Sequence, residues 1–314
     1  MPQDGLRAVN VYAVLGPEGV ALVDAGWRVP GNLELLEKSL REIDVRLEEL
    51  RDVYVTHVHR DHYTLGPELR RATGARIHLG AGERPGVELI QQRADNQPAS
   101  SLRELRRAGA PDLAATVVGL VSDEPFDARD WESPDHWLRP GPLSIVGRQM
   151  EATAVPGHTK GHLVFQDLAS GHLFTGDHVL PTISPSIGFE LGEWDLPLGR
   201  YLNSLSLLLD QPDATMLPAH GHPGGSVHGR VRELLAHHDR RLTDTLQQVA
   251  GHEATGLQVA TALTWTRRDR TFDSLDPFNQ MIAVCETMAH LDLLVDQGAV
   301  VATYRDGAAF FAGA

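Results

Sequence analysis

The most informative segment of this chain is Thr56-His57-Val58-His59-Arg60-Asp61-His62. Four side chains that can bind a divalent metal fall within six residues, directly after the strand-like run Arg51-Asp-Val-Tyr-Val-Thr56. On a strand, His57, His59 and Asp61 would point to one side and His62 to the other. A loop that leaves a strand in this way can therefore direct ligands toward two adjacent metal ions.

Three further residues of metal-binding type lie in turns later in the chain, namely His158, Asp177 and His220. Each turn follows an apolar run and is marked by Gly or Pro: Pro156-Gly-His-Thr159, Thr175-Gly-Asp-His178 and Pro218-Ala-His-Gly-His222. Turns at strand ends commonly carry functional residues. The sequence therefore predicts a two-metal site built from His57, His59, Asp61, His62, His158, Asp177 and His220.

The order of these residues resembles that of the metallo-β-lactamase superfamily, which includes glyoxalase II, RNase Z-type nucleases and many thioester, phosphoester and lactone hydrolases. The resemblance extends over roughly residues 8–225 and includes the complete ligand set, which makes it far more specific than a lone His-x-His-x-Asp-His. It implies an α/β (α+β) fold, a four-layer αββα sandwich of two sheets with helices outside. All ligand loops would then lie along one edge.

The resemblance also implies how the ligands are shared. A first metal would be held by His57, His59 and His158, a second by Asp61, His62 and His220, with Asp177 bridging. Five imidazoles and two carboxylates without a thiolate suit zinc, so two Zn²⁺ per chain are predicted, with iron and manganese as alternatives. Flavodiiron relatives have Glu at the position of His59, which makes iron the weaker choice. As a ligand of the second metal, Asp61 could also receive or pass on a proton.

Composition limits the classes of protein to which the chain can belong. Its 314 residues allow one large domain and a small one, and 22% charged residues fit a globular protein. No apolar run reaches about 18 residues and the first residues lack a signal-peptide pattern, so a cytoplasmic protein without membrane contact is expected. The net charge of −14 argues against a broad nucleic-acid surface.

Apolar periodicity predicts an opening hairpin around Gly16-Pro-Glu-Gly19, a helix over Asn32–Ile43 and then alternating strands and helices up to the His220 turn. A boundary is predicted near residue 226. Residues 1–226 would form the catalytic domain, interrupted at residues 80–140 by an inserted lid or helical segment. Within the insertion, Trp131 and Trp137 are interpreted either as contacts for an acyl or aromatic group or, preferably, as core residues. The segment Pro181–Phe189 is a candidate pocket wall or a structural loop.

Residues 227–314 are predicted to form three helices and a final hairpin with an Arg-Asp-Gly turn. This arrangement resembles the winged-helix tail of the LACTB2-like branch of the superfamily. Residues 230–314 contain 8 Arg and no Lys against 11 Asp and Glu, a balance of −3, which does not fit a phosphate-binding face. Structural support or homodimerisation is the preferred interpretation of this tail.

Several residues near the ligands have two interpretations. Asp24 follows a strand in an Asp-x-Gly turn and is expected either to support the ligand loop or to be a simple turn residue. His178 and His222 flank ligands and are either hydrogen-bonding neighbours or incidental polar groups. Lys160 could meet a substrate anion or point into solvent. Cys285, the only cysteine, lies in an apolar helical pattern and is expected to be a core residue.

The leading functional hypothesis is a hydroxide held between two zinc ions that attacks an ester-like bond of a small acyl substrate, with a thioester preferred over a lactone. An endoribonuclease or phosphodiesterase of the same superfamily is the second hypothesis. A persulfide dioxygenase with one iron on His57, His158 and Asp177 would leave the second ligand set unused. A non-catalytic metal-binding sensor is the remaining alternative, in which substituting Asp61 would cost no function.

Overall fold

The computed structural model describes residues 8–93, 95–121, 126–189, 195–266 and 269–314. The strands are β1 Tyr12–Gly16, β2 Gly19–Val23, β3 Leu50–Val55, β4 Arg76–Gly80, β5 His136–Leu138, β6 Gly141–Ile145, β7 Arg148–Ala154, β8 Leu163–Asp167, β9 His172–Gly176, β10 Thr215–Pro218, β11 Ala254–Thr255, β12 Val300–Arg305 and β13 Ala308–Gly313. The helices are α1 Asn32–Arg41, α2 Arg60–Tyr63, α3 Gly66–Thr73, α4 Arg84–Gln91, α5 Ala99–Arg107, α6 Pro111–Val121, α7 Pro197–Leu209, α8 Val227–Gln248, α9 Gly256–Ala262 and α10 Pro277–Asp296.

The first sheet has the strand order β1-β2-β3-β4-β5. The predicted opening hairpin is present, with Gly16 paired to Gly19, and β2, β3, β4 and β5 then run parallel. The central strand β3 is buried at every residue except Arg51, as expected for a parallel strand covered on both faces. The carboxyl ends of β2, β3 and β4 therefore lie at the same edge of this sheet.

The second sheet has the order β10-β9-β8-β7-β6. Its strands pair antiparallel from β6 to β9, and β10 runs parallel to β9. Because β7 and β9 are both antiparallel to β8, they point the same way as β10. The loops that follow β7, β9 and β10 consequently leave from one edge, and these are the loops that carry His158, Asp177 and His220.

The core of this part of the chain lies between the two sheets. Apolar side chains of the first sheet, including Val23 and Tyr54, share one cluster with Met150, Phe165 and Phe174 of the second. The Tyr54 and Phe165 rings meet edge to face with centroids 6.1 Å apart. A backbone hydrogen bond of 2.9 Å from the Leu163 N–H to the Thr56 carbonyl also joins the two sheets next to the ligand loop. The predicted pair of packed sheets is present.

The chain divides into two compact units. The first comprises Met1–Arg93, Asp127–Pro185 and Asn203–Arg232, and the second comprises Ala94–Phe126, Ser186–Leu202 and Glu233–Ala314. This division differs from the predicted single boundary after residue 226, because the chain passes between the units several times.

The predicted insertion at residues 80–140 is split between the units for a physical reason. Helices α5 and α6 bury Leu105 and Val117 in the same core as Val284, Met288 and Leu291 of α10. The Arg107 guanidinium also donates to the Asp292 carboxylate of α10 at 2.9 Å. Residues 95–121 are thus a helical part of the second unit. A lid role for them stays a prediction.

The second unit contains a three-stranded sheet of order β11-β13-β12. Along the chain, α8 precedes β11, and α9 and α10 lie between β11 and β12. The final hairpin pairs Arg305 with Ala308 around the predicted turn. Cys285 is buried on α10, and burial raises the pKa of its thiol to about 12, which agrees with the predicted core position. Within the described ranges, no helix combines the length and the apolar character that crossing a membrane requires.

Two buried histidines, one on α8 and one on α10, should make the second unit less stable in acid. His238 Nδ1 lies 3.2 Å from His290 Nε2, and both side chains are at most 1% exposed. Burial holds the pKa of His238 well below its usual range and lowers that of His290 to about 3. The unfolded chain therefore binds more protons than the folded chain below about pH 6.5, and each such histidine should cost about 1.4 kcal/mol of unfolding free energy per pH unit.

We expect full stability above about pH 6.5 and a progressive loss toward pH 3. Urea unfolding at pH 4.5, 5.5 and 7.5 would measure this dependence in the wild type and in His290→Gln, which removes one buried ring. The variant should show the shallower pH dependence, whereas His252→Gln, at an exposed histidine, should match the wild type. Equal slopes in all three proteins would contradict the assignment.

Candidate metal centre

The seven predicted ligands converge at the shared strand edge of the first unit. His57 follows β3, Asp61 and His62 lie in α2 just beyond it, and the other loops follow β7, β9 and β10. All of these side chains are buried except His59, which is half-buried. Their possible ligand atoms form two groups, each within 4.8 Å: His57, His59, His158 and Asp177 in one, and Asp61, His62 and His220 in the other.

In the first group, His158 is central. Its Nε2 atom lies 3.0 Å from His59 Nδ1 and 3.5 Å from Asp177 Oδ2. His57 Nε2 lies 4.0 Å from the same carboxylate oxygen. Atoms bound to one tetrahedral zinc at about 2.0–2.1 Å would be separated by roughly 3.3 Å, so these distances fit a common metal.

The second group is equally compact. Asp61 Oδ2 lies 3.2 Å from His220 Nε2 and 3.5 Å from His62 Nε2. Asp177 also reaches this group, with Oδ1 3.4 Å from His220 Nε2 and Oδ2 3.7 Å from His62 Nε2. The carboxylate of Asp177 therefore lies between the two groups, as expected for a bridging ligand.

The hydrogen bonds of the imidazole rings direct one nitrogen of each ring into the centre. The Nδ1 atoms of His57, His62 and His220 lie 3.0, 2.9 and 2.8 Å from Thr56 Oγ1, Asp24 Oδ2 and the Ala8 carbonyl, respectively. The opposite Nε2 atoms of these rings are buried, and within the described chain they make no hydrogen bond. Buried polar atoms are rarely left unsatisfied in folded proteins, so this donor set fits bound metal.

The pKa values of two histidines in the first ligand group are consistent with metal binding. Burial and the neighbouring His62 hold the pKa of His57 well below its usual range, and burial with His158 lowers the pKa of His59 to about 3. These rings are thus in the neutral form that metals require. Burial acts to raise the pKa of Asp61, but the nearby His62 and His220 outweigh it and keep this carboxyl ionised. Asp61 in turn raises the pKa of both rings against the effect of burial, so metal binding in this group would release protons.

Comparison with known proteins identifies the family. The family model of the metallo-β-lactamase superfamily matches residues 4–222, which is more than half of the chain. The chain belongs to the metallo-β-lactamase superfamily. Its mixed α/β fold, with two packed sheets and all ligand loops at one edge, is the one that the sequence predicted.

Similar proteins span most of the chain. A probable metallo-hydrolase, YqjP of Bacillus subtilis (strain 168), is 24% identical over 96% of this chain and 92% of its own length. A metallo-beta-lactamase family protein, TTHA1429 of Thermus thermophilus, superposes with a TM-score of 0.78 at 26% identity, covering 98% of this chain and 94% of that one. The atrochrysone carboxyl ACP thioesterase AgnL7 of Paecilomyces divaricatus is 25% identical over 75% of this chain and 57% of that protein.

Of the two interpretations of Asp24, the contacts favour the one in which it supports the metallo-β-lactamase ligand loop. This buried residue follows β2 with φ +63°, and its Oδ1 atom accepts hydrogen bonds from the Thr56 N–H at 2.8 Å and the Thr56 hydroxyl at 2.9 Å. Its Oδ2 atom lies 2.9 Å from His62 Nδ1. One carboxylate thus fixes both the end of β3 and the orientation of one ligand ring.

Replacing Asp24 should loosen metal binding in the Asp61, His62 and His220 group. Asp24→Asn keeps an oxygen for Thr56, and asparagine tolerates a positive φ, but an amide would face His62 Nδ1. We expect a 10- to 100-fold loss of affinity for one of two metals, measured by chelator competition. Asp24→Ala should in addition lower the free energy of unfolding by about 1–3 kcal/mol. Unchanged metal affinity in Asp24→Asn would contradict the role assigned to this contact.

The structure also shows a residue to which the sequence analysis assigned no role. His162 stacks on His57, with centroids 4.8 Å apart, and its Nε2 accepts the Asp177 N–H at 3.2 Å. Gly176, at φ +52°, allows this contact, because a Cβ there would lie 2.7 Å from both the His162 ring and the Thr56 hydroxyl. His162 therefore places two ligand residues at once.

Other candidate residues are less involved. His222 is exposed, whereas His178 is buried with its ring 5.9 Å from that of His162. Trp131 is 6% exposed and stacks with Tyr63, so the preferred interpretation as a core residue is confirmed. Trp137 lies on β5, with the Arg84 guanidinium 5.4 Å from its ring centroid. Lys160 is half-buried, and its contact with a substrate anion stays a prediction.

Proposed function

We propose that this chain is a binuclear metal-dependent hydrolase that cleaves an ester-like bond of a small acyl substrate, with a thioester as the preferred class. The observation that carries the proposal is the pair of ligand groups that share Asp177. Both groups are complete, so a single-metal chemistry would leave Asp61, His62 and His220 without a purpose. Membership of a superfamily of metallo-hydrolases supports the same reaction class.

The residues divide the work in a simple way. Two bound divalent ions, for which zinc best suits the nitrogen and oxygen donors, would supply a nucleophile at neutral pH by lowering the pKa of water. His57, His59 and His158 would hold one ion, and Asp61, His62 and His220 the other, with Asp177 between them. Asp61 is 8% exposed, and its ionised carboxylate is suited to accept the proton that water gives up.

Two observations favour a small acyl substrate over RNA. The fungal relative is named as a carboxyl ACP thioesterase, and it aligns with 75% of this chain. The net charge of −14 opposes the binding of a polyphosphate, since nucleic-acid affinity depends largely on Lys and Arg. A thioester carbonyl is also a more reactive electrophile than the phosphodiester of RNA. A lactone is the next candidate class of substrate.

The second unit supports a place in the LACTB2-like branch. Its order of α8, β11, α9, α10, β12 and β13 resembles that of a winged helix, which combines three helices with a small sheet. Its acidic balance favours structural support or homodimerisation over contact with DNA. We propose these roles together with a cytoplasmic location.

Hydrolysis of a panel of substrates tests the function. The zinc-loaded wild type would be assayed with acyl thioester, lactone, β-lactam, phosphodiester and RNA substrates. The control is Asp167→Asn, which changes a buried acid on β8 that pairs with Arg148. We expect thioester turnover that chelation abolishes and zinc restores, equal in both proteins. RNA cleavage would replace the proposal with a nuclease, and oxygen uptake with a persulfide would replace it with a dioxygenase.

A further inference from the structure

Glu83 is a buried carboxyl group outside the seven ligands. It ends a short 3-10 turn, Ala81–Glu83, that directly follows β4, and it is 1% exposed. Three groups hydrogen-bond to this carboxyl: the Thr159 hydroxyl and the backbone N–H groups of Val58 and Gly161. A buried carboxyl group needs several donors to offset the loss of water. Here burial still outweighs the three donors and raises the pKa of Glu83 to about 7.

The donors come from the two loops that carry the histidines of the first ligand group. Val58 lies between His57 and His59, and Thr159 follows His158 directly. One carboxyl group thereby joins the two loops that carry all three imidazoles of the first ligand group. The other ligand group has different hydrogen bonds, which His62 Nδ1 donates to the Asp24 carboxylate and His220 Nδ1 donates to the Ala8 carbonyl.

Glycine contacts bring Glu83 within reach of these donors. A Cβ on Gly80 would lie 2.1 Å from the Gly161 carbonyl oxygen, and one on Gly161 would lie 2.2 Å from the Glu83 nitrogen. A Cβ on Gly82 would lie 2.7 Å from Gly161 Cα. The turn after β4 and the loop after His158 therefore cross with their backbones in direct contact, which leaves no space for a side chain at any of the three positions.

We infer that Glu83 is a positioning residue that locks the His57–His59 and His158 loops together and so sets the affinity of one metal of the pair. The inference rests on the proposed two-metal function. It assigns the two metals different supports: Glu83 acts on the loops of the first, whereas Asp24 contacts His62 of the second directly and reaches His57 of the first only through Thr56. Glu83 contacts no substrate in this role, and a purely structural acid would not distinguish between the two metals.

Titration of the metal-free protein with Co²⁺, followed by its visible absorption and by chelator competition, tests this inference. We expect Glu83→Ala to bind one Co²⁺ at least about tenfold more weakly and the other within about twofold of the wild type. Glu83→Gln, which keeps the size of the side chain and one acceptor, should show a smaller change of the same kind and serves if the alanine variant does not fold. In a His220→Ala background, the remaining Co²⁺ should be the one that Glu83→Ala weakens.

Asp52→Asn is the matched control. Asp52 is also a buried acid of the first unit, but it lies on β3 before the ligand loop begins. It pairs with Arg76 and His78 of the neighbouring strand β4. The Asp52→Asn protein should bind both Co²⁺ ions with the affinity of the wild type. Equal weakening of both ions by Glu83→Ala, or no weakening, would overturn the role of Glu83 while leaving the function intact. A wild type that binds fewer than two Co²⁺ ions would overturn both.

Discussion

Replacing Asp177 with alanine should reduce hydrolysis by at least about 1,000-fold, because several kcal/mol of transition-state stabilisation depend on a correctly held metal pair. The Asp177 carboxylate lies 3.5 Å from His158 Nε2 in one ligand group and 3.4 Å from His220 Nε2 in the other. Its removal therefore takes a ligand from both metals at once. Steady-state kinetics with a thioester, together with metal content per chain, would measure both losses.

The control for this substitution is Asp167→Asn, which alters another buried acid of the same sheet that pairs with Arg148. It should retain two metals and near wild-type turnover. Added metal should not restore the turnover of Asp177→Ala, because even with both sites refilled no carboxylate would connect the two ions. An Asp177→Ala protein that keeps both metals and its activity would contradict the bridging role.

Asp61→Asn is expected to lower kcat by about 100- to 10,000-fold, the range that a positioned proton acceptor contributes. The substitution preserves shape and leaves one oxygen toward the second ligand group, but it removes the charge that accepts a proton. The Asp61 carboxylate lies 3.2 Å from His220 Nε2, so binding of the second metal should weaken as well. Turnover at saturating zinc, measured beside metal stoichiometry, separates the two effects.

This substitution also separates catalysis from a scaffold role. A metal-binding sensor would keep its partner and its fold after Asp61→Asn, whereas a hydrolase would lose turnover with metal still bound. Asp213→Asn is a suitable control, because Asp213 lies outside the ligand set and accepts hydrogen bonds from Ser226 and the His228 N–H. Full activity in Asp61→Asn at saturating zinc would remove this residue from the proposed mechanism.

Much of the fold and of the candidate site could be predicted from local sequence. The ligands follow apolar strands, the three later ones in turns marked by Gly or Pro, and strands that run the same way bring their carboxyl ends to one edge. His57 thereby meets His158 and Asp177, which lie 101 and 120 residues later in the chain. Periodicity and turn residues likewise predicted the opening hairpin, the helix beginning at Asn32 and the final hairpin.

The remaining features depend on contacts that no local pattern encodes. The role of Glu83 requires the backbone crossing of Gly80 and Gly161, and only its place directly after a strand parallel to β3 offered a signal. His162 gains its role from stacking on His57. The observed division into units could not be read from local sequence, because it depends on the apolar faces of α5 and α6 packing on α10, which lies far along the chain.

Anomalous diffraction from crystals of the zinc-loaded protein is the most direct test of the two-metal site. We predict two zinc peaks per chain, one among His57, His59 and His158 and the other among Asp61, His62 and His220, with Asp177 bound to both. Such a result would establish the arrangement on which the proposed hydrolysis depends. One peak, or peaks outside these two groups, would contradict it.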